Sequence, residues 1–218
     1  MQPAVPGPSA LRTSPAADTL LLLGFFVSGA SALIYQVGWQ RALYGYIGVD
    51  IDSITIIVSV FMLGIGVGGM LGGWLADTFP RQRLRLYALI ELSIGAYGLA
   101  SLAFLPWLVD TLAPASSGAG ASVAACFVFL LAPTILMGMT LPLLTMAFDE
   151  RRANIGVSVG TLYFINTLGA ATGAGLVPFY LFPMWELPQV VTAAAVGNFM
   201  VIACTLLAAR LVRAGTGP

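Results

Sequence analysis

The chain has no histidine and no lysine, and it holds few charged residues of any kind. Only 8% of its 218 residues are charged, whereas a soluble domain carries roughly a quarter. Hydrophobic residues make up 59% of the chain, and its mean hydropathy is +0.95. So few charges cannot coat a water-exposed surface of this size. The composition therefore excludes a soluble globular enzyme and predicts that the chain is surrounded by lipid.

The missing side chains also exclude several kinds of chemistry. Without lysine, neither a retinal nor a pyridoxal phosphate Schiff base can form. Without histidine, there is no imidazole to bind haem or zinc and no histidine-based catalytic triad. Cys126 and Cys204 both fall inside apolar runs, which is typical of small buried hydrophobic residues rather than of a disulfide or a metal site. We therefore expect no cofactor and no metal.

The net charge argues against one class of partner. It is zero, and the nine basic residues are all arginines that occur in small, scattered groups. Proteins that bind nucleic acid present a basic patch or stripe to the phosphates. We therefore expect no nucleic-acid partner, and the lipid bilayer as the main surroundings.

Six apolar runs are long enough to cross a bilayer, whose core requires roughly 20 helical residues. The first 18 residues differ, because they contain four prolines among alanine, serine and threonine. Such a segment is typical of a disordered tail. We therefore predict an all-α integral membrane protein, with a tail over residues 1–18 and a six-helix transmembrane domain over 19–213. The predicted spans are 19–40, 51–75, 84–107, 121–148, 155–182 and 188–210.

The arginines predict the orientation, because loops on the cytoplasmic side carry an excess of basic residues. If both termini are cytoplasmic, eight of the nine arginines lie on that side. Only Arg41 falls on the opposite side, where Asp50 and Asp52 are possible partners. We expect a multi-pass protein of the bacterial cytoplasmic (inner) membrane with both termini in the cytoplasm.

Glycines recur every four residues in two of the spans. Gly64, Gly68 and Gly72 form one row in the second span, and Gly169 and Gly173 form another in the fifth. A glycine run can cradle phosphate, but that function requires a preceding strand and water-exposed backbone amides. In a membrane helix, small residues instead allow two backbones to approach closely. We therefore predict that these glycines are helix-packing positions.

Glu91 is the one carboxylate that lies deep inside a span, about two turns from its start. An ionisable residue at such a depth is costly and is by default a candidate site. One interpretation is a cation or proton site that faces the interior of the bundle. The other is a structural partner for a buried amide or tyrosine.

Other polar residues could line one cavity near Glu91. Taken singly, each is more typical of a hydrogen bond between helices. Thr167 and Asn198 are two such polar residues, in the fifth and sixth spans. The candidate intramembrane site consists of Glu91 together with Tyr35, Gln36, Arg41, Thr140, Tyr163 and Asn166.

Four stretches carry a resemblance to a known family. They are SGASALIYQVGWQR at 28–41, ELSIGAY at 91–97, LMGMTLPLL at 136–144 and LYFINTLGA at 162–170. In this order they resemble the membrane domain that is fused to spermidine-synthase-like proteins, which is in turn similar to half of a major facilitator transporter. The resemblance implies a six-helix bundle that pairs with a second copy or with another membrane protein.

A further likeness lies between the second and third spans. Residues 73–77, GWLAD, followed by Arg81 and Arg83, resemble the facilitator loop at this place. In that family the acidic and basic residues of the loop help to gate the cytoplasmic side. The resemblance thus implies a candidate cytoplasmic gate at Asp77, Arg81 and Arg83. The loop departs from the pattern at Pro80, where glycine is usual, and at Gln82, where a basic residue is usual.

Two functions are consistent with these features. In the fused relatives, a soluble aminopropyltransferase-like domain follows the membrane helices. These 218 residues contain no stretch of that kind, so we expect no enzyme activity from them. The first function is a half-facilitator that handles a small cationic or polyamine-like solute. The alternative is a non-catalytic membrane subunit that anchors or scaffolds a larger complex or a separately encoded enzyme.

Overall fold

A computed structural model describes residues 15–48, 51–114, 119–152 and 154–214. Within these ranges all regular structure is helical. Six helices are long and apolar enough to cross a membrane. They confirm the predicted all-α architecture, and their bounds are α1 Pro15–Ile47, α2 Ile51–Thr78, α3 Arg83–Leu112, α4 Ala119–Arg152, α5 Ile155–Leu176 and α6 Leu187–Ala214.

Most of the helices extend a few residues beyond the apolar runs. Helix α1 already begins at Pro15, and residues 1–14 of the predicted tail lie outside the described residues. A 3-10 turn, Pro80–Gln82, joins α2 to α3. Beyond Leu176, the chain of α5 continues through a π-helical turn, Val177–Leu181, and one short α-helical turn. Pro178 lies in the π-helical turn and has no N–H to donate, which accounts for the local change from α-helical to π-helical hydrogen bonds.

The helices pack in a pattern that repeats between the two halves of the chain. Helix α1 packs mainly against α5 and α6, whereas α4 packs mainly against α2 and α3. Helices α3 and α6 pack against each other and connect the two groups. These main contacts are unchanged when the first three helices are exchanged with the last three. Each half therefore contributes one central helix, α1 or α4.

Glycines mark the closest approaches between helices. A Cβ atom added to Gly64, Gly68 or Gly72 of α2 would overlap with atoms of α4. A Cβ added to Gly169 or Gly173 of α5 would overlap with the backbone of α1. Helices in lipid gain little from the hydrophobic effect, so close van der Waals contact of this kind stabilises their association. It places α2 directly on α4 and α5 directly on α1.

The facing helices carry glycines of their own. Gly138 of α4 lies against Ile65 of α2, and Gly29 of α1 lies against Asn166 of α5. At both places an added Cβ would overlap with the backbone of the partner helix. Both members of each pair therefore contribute to the short distance between their axes.

An aromatic cluster fills the space between α1, α3 and α4. The rings of Tyr35 and Trp39 stack with centroids 4.7 Å apart, and Trp39 also meets Tyr97 and Phe129 edge to face. The Trp39 indole N–H donates to Ser101 Oγ at 3.0 Å. This part of the bundle is closely packed, so the open space in the molecule lies elsewhere.

Gly68→Ala tests the close packing of α2 on α4, with Gly66→Ala as the matched control. A Cβ at Gly68 would meet the Ile135 carbonyl oxygen, whereas a Cβ at Gly66 meets nothing within 4 Å. Both variants gain the helix propensity of alanine, about 1 kcal/mol, while overpacking costs about 1–3 kcal/mol. We expect Gly68→Ala to melt at a lower temperature than Gly66→Ala in mild detergent. Equal melting temperatures would contradict the packing.

Candidate functional site

A cavity of about 320 Å³ lies between α1, α2, α4 and α5. This volume is within the range of sites for small ligands. Most of the lining is apolar, and among the described residues no lining side chain is charged. Its polar part consists of hydroxyl and amide groups, which belong to Ser28, Gln36, Thr140, Tyr163, Asn166 and Asn198.

Four of the candidates from the sequence lie around this cavity. They are Gln36 on α1, Thr140 on α4, and Tyr163 and Asn166 on α5. The Thr140 hydroxyl donates to the Met137 carbonyl oxygen at 2.7 Å, so its lone pairs are left for another donor. Tyr163 is 61% exposed and stands at the open side of the cavity.

Glu91 lies behind the wall of the cavity. It is fully buried on α3 and is not a lining residue. One carboxylate oxygen accepts from Ser28 Oγ at 2.6 Å, and the other accepts from Asn198 Nδ2 at 2.7 Å. Both donors line the cavity. The carboxylate thus joins α1, α3 and α6, and it is separated from the cavity by one layer of neutral side chains.

The surroundings of Glu91 explain how a carboxylate is accommodated at this depth. A buried charge is costly unless hydrogen bonds replace its lost hydration, and bonds to an ionised acceptor are stronger than neutral ones. The Tyr87 side chain, one turn away on α3, also lies beside the carboxylate. Gly95, one turn further on, leaves room for Asn198, whose Cβ would be 3.3 Å from a Cβ at this glycine.

Two candidates from the sequence lie away from the cavity. Tyr35 is fully buried in the aromatic cluster, where its ring lies against Gly98 of α3. Its hydroxyl has no hydrogen-bond partner among the described residues. Arg41 is exposed near the end of α1, with its guanidinium carbon 4.4 Å from the centroid of the Phe182 ring. Asp50 and the side chain of Asp52, its possible partners from the sequence, lie outside the described structure.

Ser28 and Asn198 also belong to the site, although neither is among the site residues that the sequence predicts. Asn198 was recognisable as an isolated amide in an apolar span, and Ser28 as a hydroxyl in another. Nothing in their spacing shows that both face a carboxylate on a third helix. Their pairing with Glu91 spans 63 and 107 residues of sequence.

The three residues of the candidate gate lie in different surroundings. Arg83 is buried, and its side chain donates to the Ala76 carbonyl oxygen at 2.8 Å and the Met146 carbonyl oxygen at 3.3 Å. A cation near the C-terminal ends of helices is favourable, so Arg83 ties the start of α3 to α2 and α4. Arg81 is exposed, and Asp77 lies in a separate groove between α2, α4 and α5.

A double-mutant cycle tests the contact between Glu91 and Asn198. Asn198→Leu removes a donor from a buried carboxylate, which costs about 1–3 kcal/mol of stability. In a Glu91→Leu background the same change is expected to cost less, because no carboxylate remains, and contacting pairs are coupled by about 0.5–3 kcal/mol. The control, Asn166→Leu, should cost the same in both backgrounds. Additive effects for Asn198, measured by unfolding in detergent, would refute the contact.

Comparison with known proteins shows a distant similarity to polyamine enzymes. The chain is 26% identical to Polyamine aminopropyltransferase 1 of Streptomyces coelicolor, over 98% of the chain and 38% of the relative. It is 26% identical to Polyamine aminopropyltransferase 2 of the same organism, over 81% of the chain and 32% of the relative. It is 27% identical to Polyamine aminopropyltransferase 1 of Ralstonia nicotianae, over 82% of the chain and 33% of the relative.

The chain thus spans about a third of the length of the curated relatives it matches. No protein-family profile matches it, and no solved structure matches it. The similarity is consistent with a distant spermidine-synthase-like relationship for a chain with six apolar, membrane-length helices.

Proposed function

We propose that this chain is a membrane module that binds a small polyamine-like cation in the cavity between α1, α2, α4 and α5. The observation that carries the proposal is a cavity with an apolar lining, several neutral hydroxyl and amide groups, and one buried carboxylate directly behind its wall. Polyamines combine apolar methylene segments with N–H donors, so this lining suits them. The distant relatives are named as polyamine aminopropyltransferases, which favours the same class of solute.

We further propose that the six helices act as half of a facilitator, with both termini in the cytoplasm of a bacterial cell. Facilitators are built from repeats around a site near the bilayer midplane. The two halves of this chain make the same pattern of helix contacts, which fits such a construction. The arginine distribution supports the orientation.

The exposed side of the cavity supports a second membrane unit, either another copy of the chain or a different protein. We compared the buried share of an apolar 18-residue stretch in each membrane-length span. It is 17% in the span that begins with α5 and 28% in α2, against 39% or more in the other four. These two helices flank the cavity, and two of its polar lining residues lie at the surface: Tyr163 is exposed and Asn166 is half-buried. Polar groups that face lipid are costly, so a covering unit would stabilise this side.

For these 218 residues we propose binding or transport without aminopropyl transfer. Tyr163 is the only titratable side chain that lines the cavity, among the residues that the structure describes. General acid–base catalysis requires a positioned group whose proton affinity suits the reaction. The lining supplies hydrogen-bond partners for a solute and little with which to move protons.

Uptake of labelled spermidine into liposomes that contain the purified protein tests this proposal. Gly69 lines the cavity and has nothing within 4 Å of an added Cβ, so Gly69→Phe adds a large ring at the cavity wall, and its Cβ meets no backbone atom. We expect uptake to fall about tenfold or more, the equivalent of about 1.4 kcal/mol of lost binding free energy. Val67→Phe, at an exposed position of α2 outside the cavity, should transport as the wild type does. No uptake above protein-free liposomes, or equal uptake by both variants, would count against the proposal.

The second candidate function is a non-catalytic subunit that anchors or scaffolds other proteins. The observation that favours it is a pair of glycines on α2 outside the cavity, Gly66 and Gly73, where an added Cβ meets nothing within 4 Å. Small residues of this kind let another helix approach closely. Purification from the native membrane in mild detergent distinguishes the two functions. A companion chain in fixed ratio is expected for a subunit, whereas a lone monomer or homodimer would argue against it.

A further inference from the structure

We infer that the groove between α2, α4 and α5 is a second cation site, where Asp77 binds the ammonium group of a polyamine-like solute before the solute reaches the cavity. The inference rests on the proposed function, because it names where the solute of that cavity first binds. It gives Asp77 a ligand of its own, which differs from the gate that the sequence resemblance implies.

The groove has the size and the lining of a site for a small molecule that is both apolar and charged. Its volume is about 440 Å³, which is within the range of sites for small ligands. Leu141 and Met146 of α4 and Ile155 and Val159 of α5 give it apolar walls. Among the described lining residues, Asp77 alone is charged. The groove thus offers apolar contact for methylene groups around one carboxylate.

Open space lies one helical turn from Asp77. Gly73 and Asp77 are four residues apart, so they lie on the same face of α2. A Cβ added to Gly73, which also lines the groove, would meet nothing within 4 Å. Asp77 is exposed, and it forms no ion pair with any side chain that the structure describes. A cation can therefore reach the carboxylate without displacing a described partner.

The charge of Asp77 is placed where it attracts cations. An exposed aspartate is negatively charged at neutral pH, and the last turn of a helix adds partial negative charge. Asp77 lies in the last turn of α2, which ends at Thr78. Arg83 binds the Ala76 carbonyl oxygen of this turn but forms no ion pair with Asp77. Charge of one sign in a cleft with apolar walls raises the local concentration of counter-ions, so the groove attracts cations and repels anions.

The groove and the cavity are neighbours. Leu141 and Pro142 of α4 line both of them, so these two residues form the partition between the two spaces. In the proposed orientation α2 ends on the cytoplasmic side, so the groove lies between the cytoplasm and the cavity. Because Asp77 is exposed, an ion pair there avoids most of the desolvation cost of a buried pair. Weak, reversible binding of this kind suits a site through which a solute passes.

The alternative is a purely structural role for Asp77. Ile155, the first residue of α5, lines the same groove, and a carboxylate near the start of a helix stabilises its positive end. That role predicts a lower melting temperature for Asp77→Asn and no change in cation binding. The two roles therefore differ in what the variant does to a bound cation.

Protection of introduced cysteines from N-ethylmaleimide measures where spermidine binds to the full chain in detergent. Val159→Cys reports on the groove and Gly69→Cys on the cavity, in a background with Cys126→Ala and Cys204→Ala. Val157→Cys, which is exposed on α5 but outside the groove, is the matched control. At about ten times its dissociation constant, spermidine should slow labelling of Val159→Cys about tenfold. Labelling of Val157→Cys should stay unchanged.

Two substitutions of Asp77 test the carboxylate itself. Asp77→Asn removes the charge and should abolish the protection of Val159→Cys at the same spermidine concentration. Asp77→Glu keeps the charge and should retain the protection. Protection that persists in Asp77→Asn would overturn the inference. If Asp77→Asn does not fold, the natural Asp77 decides, because equal labelling of Val159→Cys with and without spermidine also overturns it.

The two reporter positions separate this inference from the proposed function. Protection of Val159→Cys without protection of Gly69→Cys means that the proposed cavity function fails and the groove stands as a cation site. Protection of Gly69→Cys alone overturns the groove site and leaves the proposed function standing. Protection of neither cysteine contradicts both.

Discussion

Close backbone contact at glycines determines where the helices of this bundle lie, and the cavity depends on it. Lipid is as apolar as the helix surfaces, so burial by itself does not select one helix pairing over another. Gly64, Gly68 and Gly72 hold α2 on α4, and Gly169 and Gly173 hold α5 on α1. The two pairs stand on either side of the cavity and leave their polar residues facing a shared space. Packing and the candidate site are thus products of the same small residues.

The second constraint is the need to supply hydrogen bonds to the Glu91 carboxylate in the interior of the bundle. Its two oxygens accept from α1 and α6, so a single carboxylate on α3 connects three helices at one point. The structure thereby supports a structural partnership of Glu91 with a buried amide, and it also places that partnership against the cavity. The contacts fit the structural interpretation of Glu91, and the cation or proton site stays a prediction.

The architecture was largely predictable, since the length and apolar character of each run suffice to indicate a span. The cavity was only partly predictable. Four polar candidates, Gln36, Thr140, Tyr163 and Asn166, do lie around one space, whereas Tyr35 packs among aromatic rings and Arg41 lies on Phe182. A soluble helix reveals its buried face by its apolar period. A helix in lipid is apolar on every side, so its sequence indicates depth in the membrane but not rotation about its axis.

The sequence by itself determined that this chain has six helices long and apolar enough to cross a membrane, little charge, two glycine-rich helices and one deep carboxylate, because these properties are local and sum along the chain. Only the tertiary structure decided which helices meet and which polar groups share a cavity. It alone placed Ser28 and Asn198 between Glu91 and that cavity. The physical reason is that hydrogen bonds and close packing between helices depend on rotations and distances set by contacts far apart in the chain.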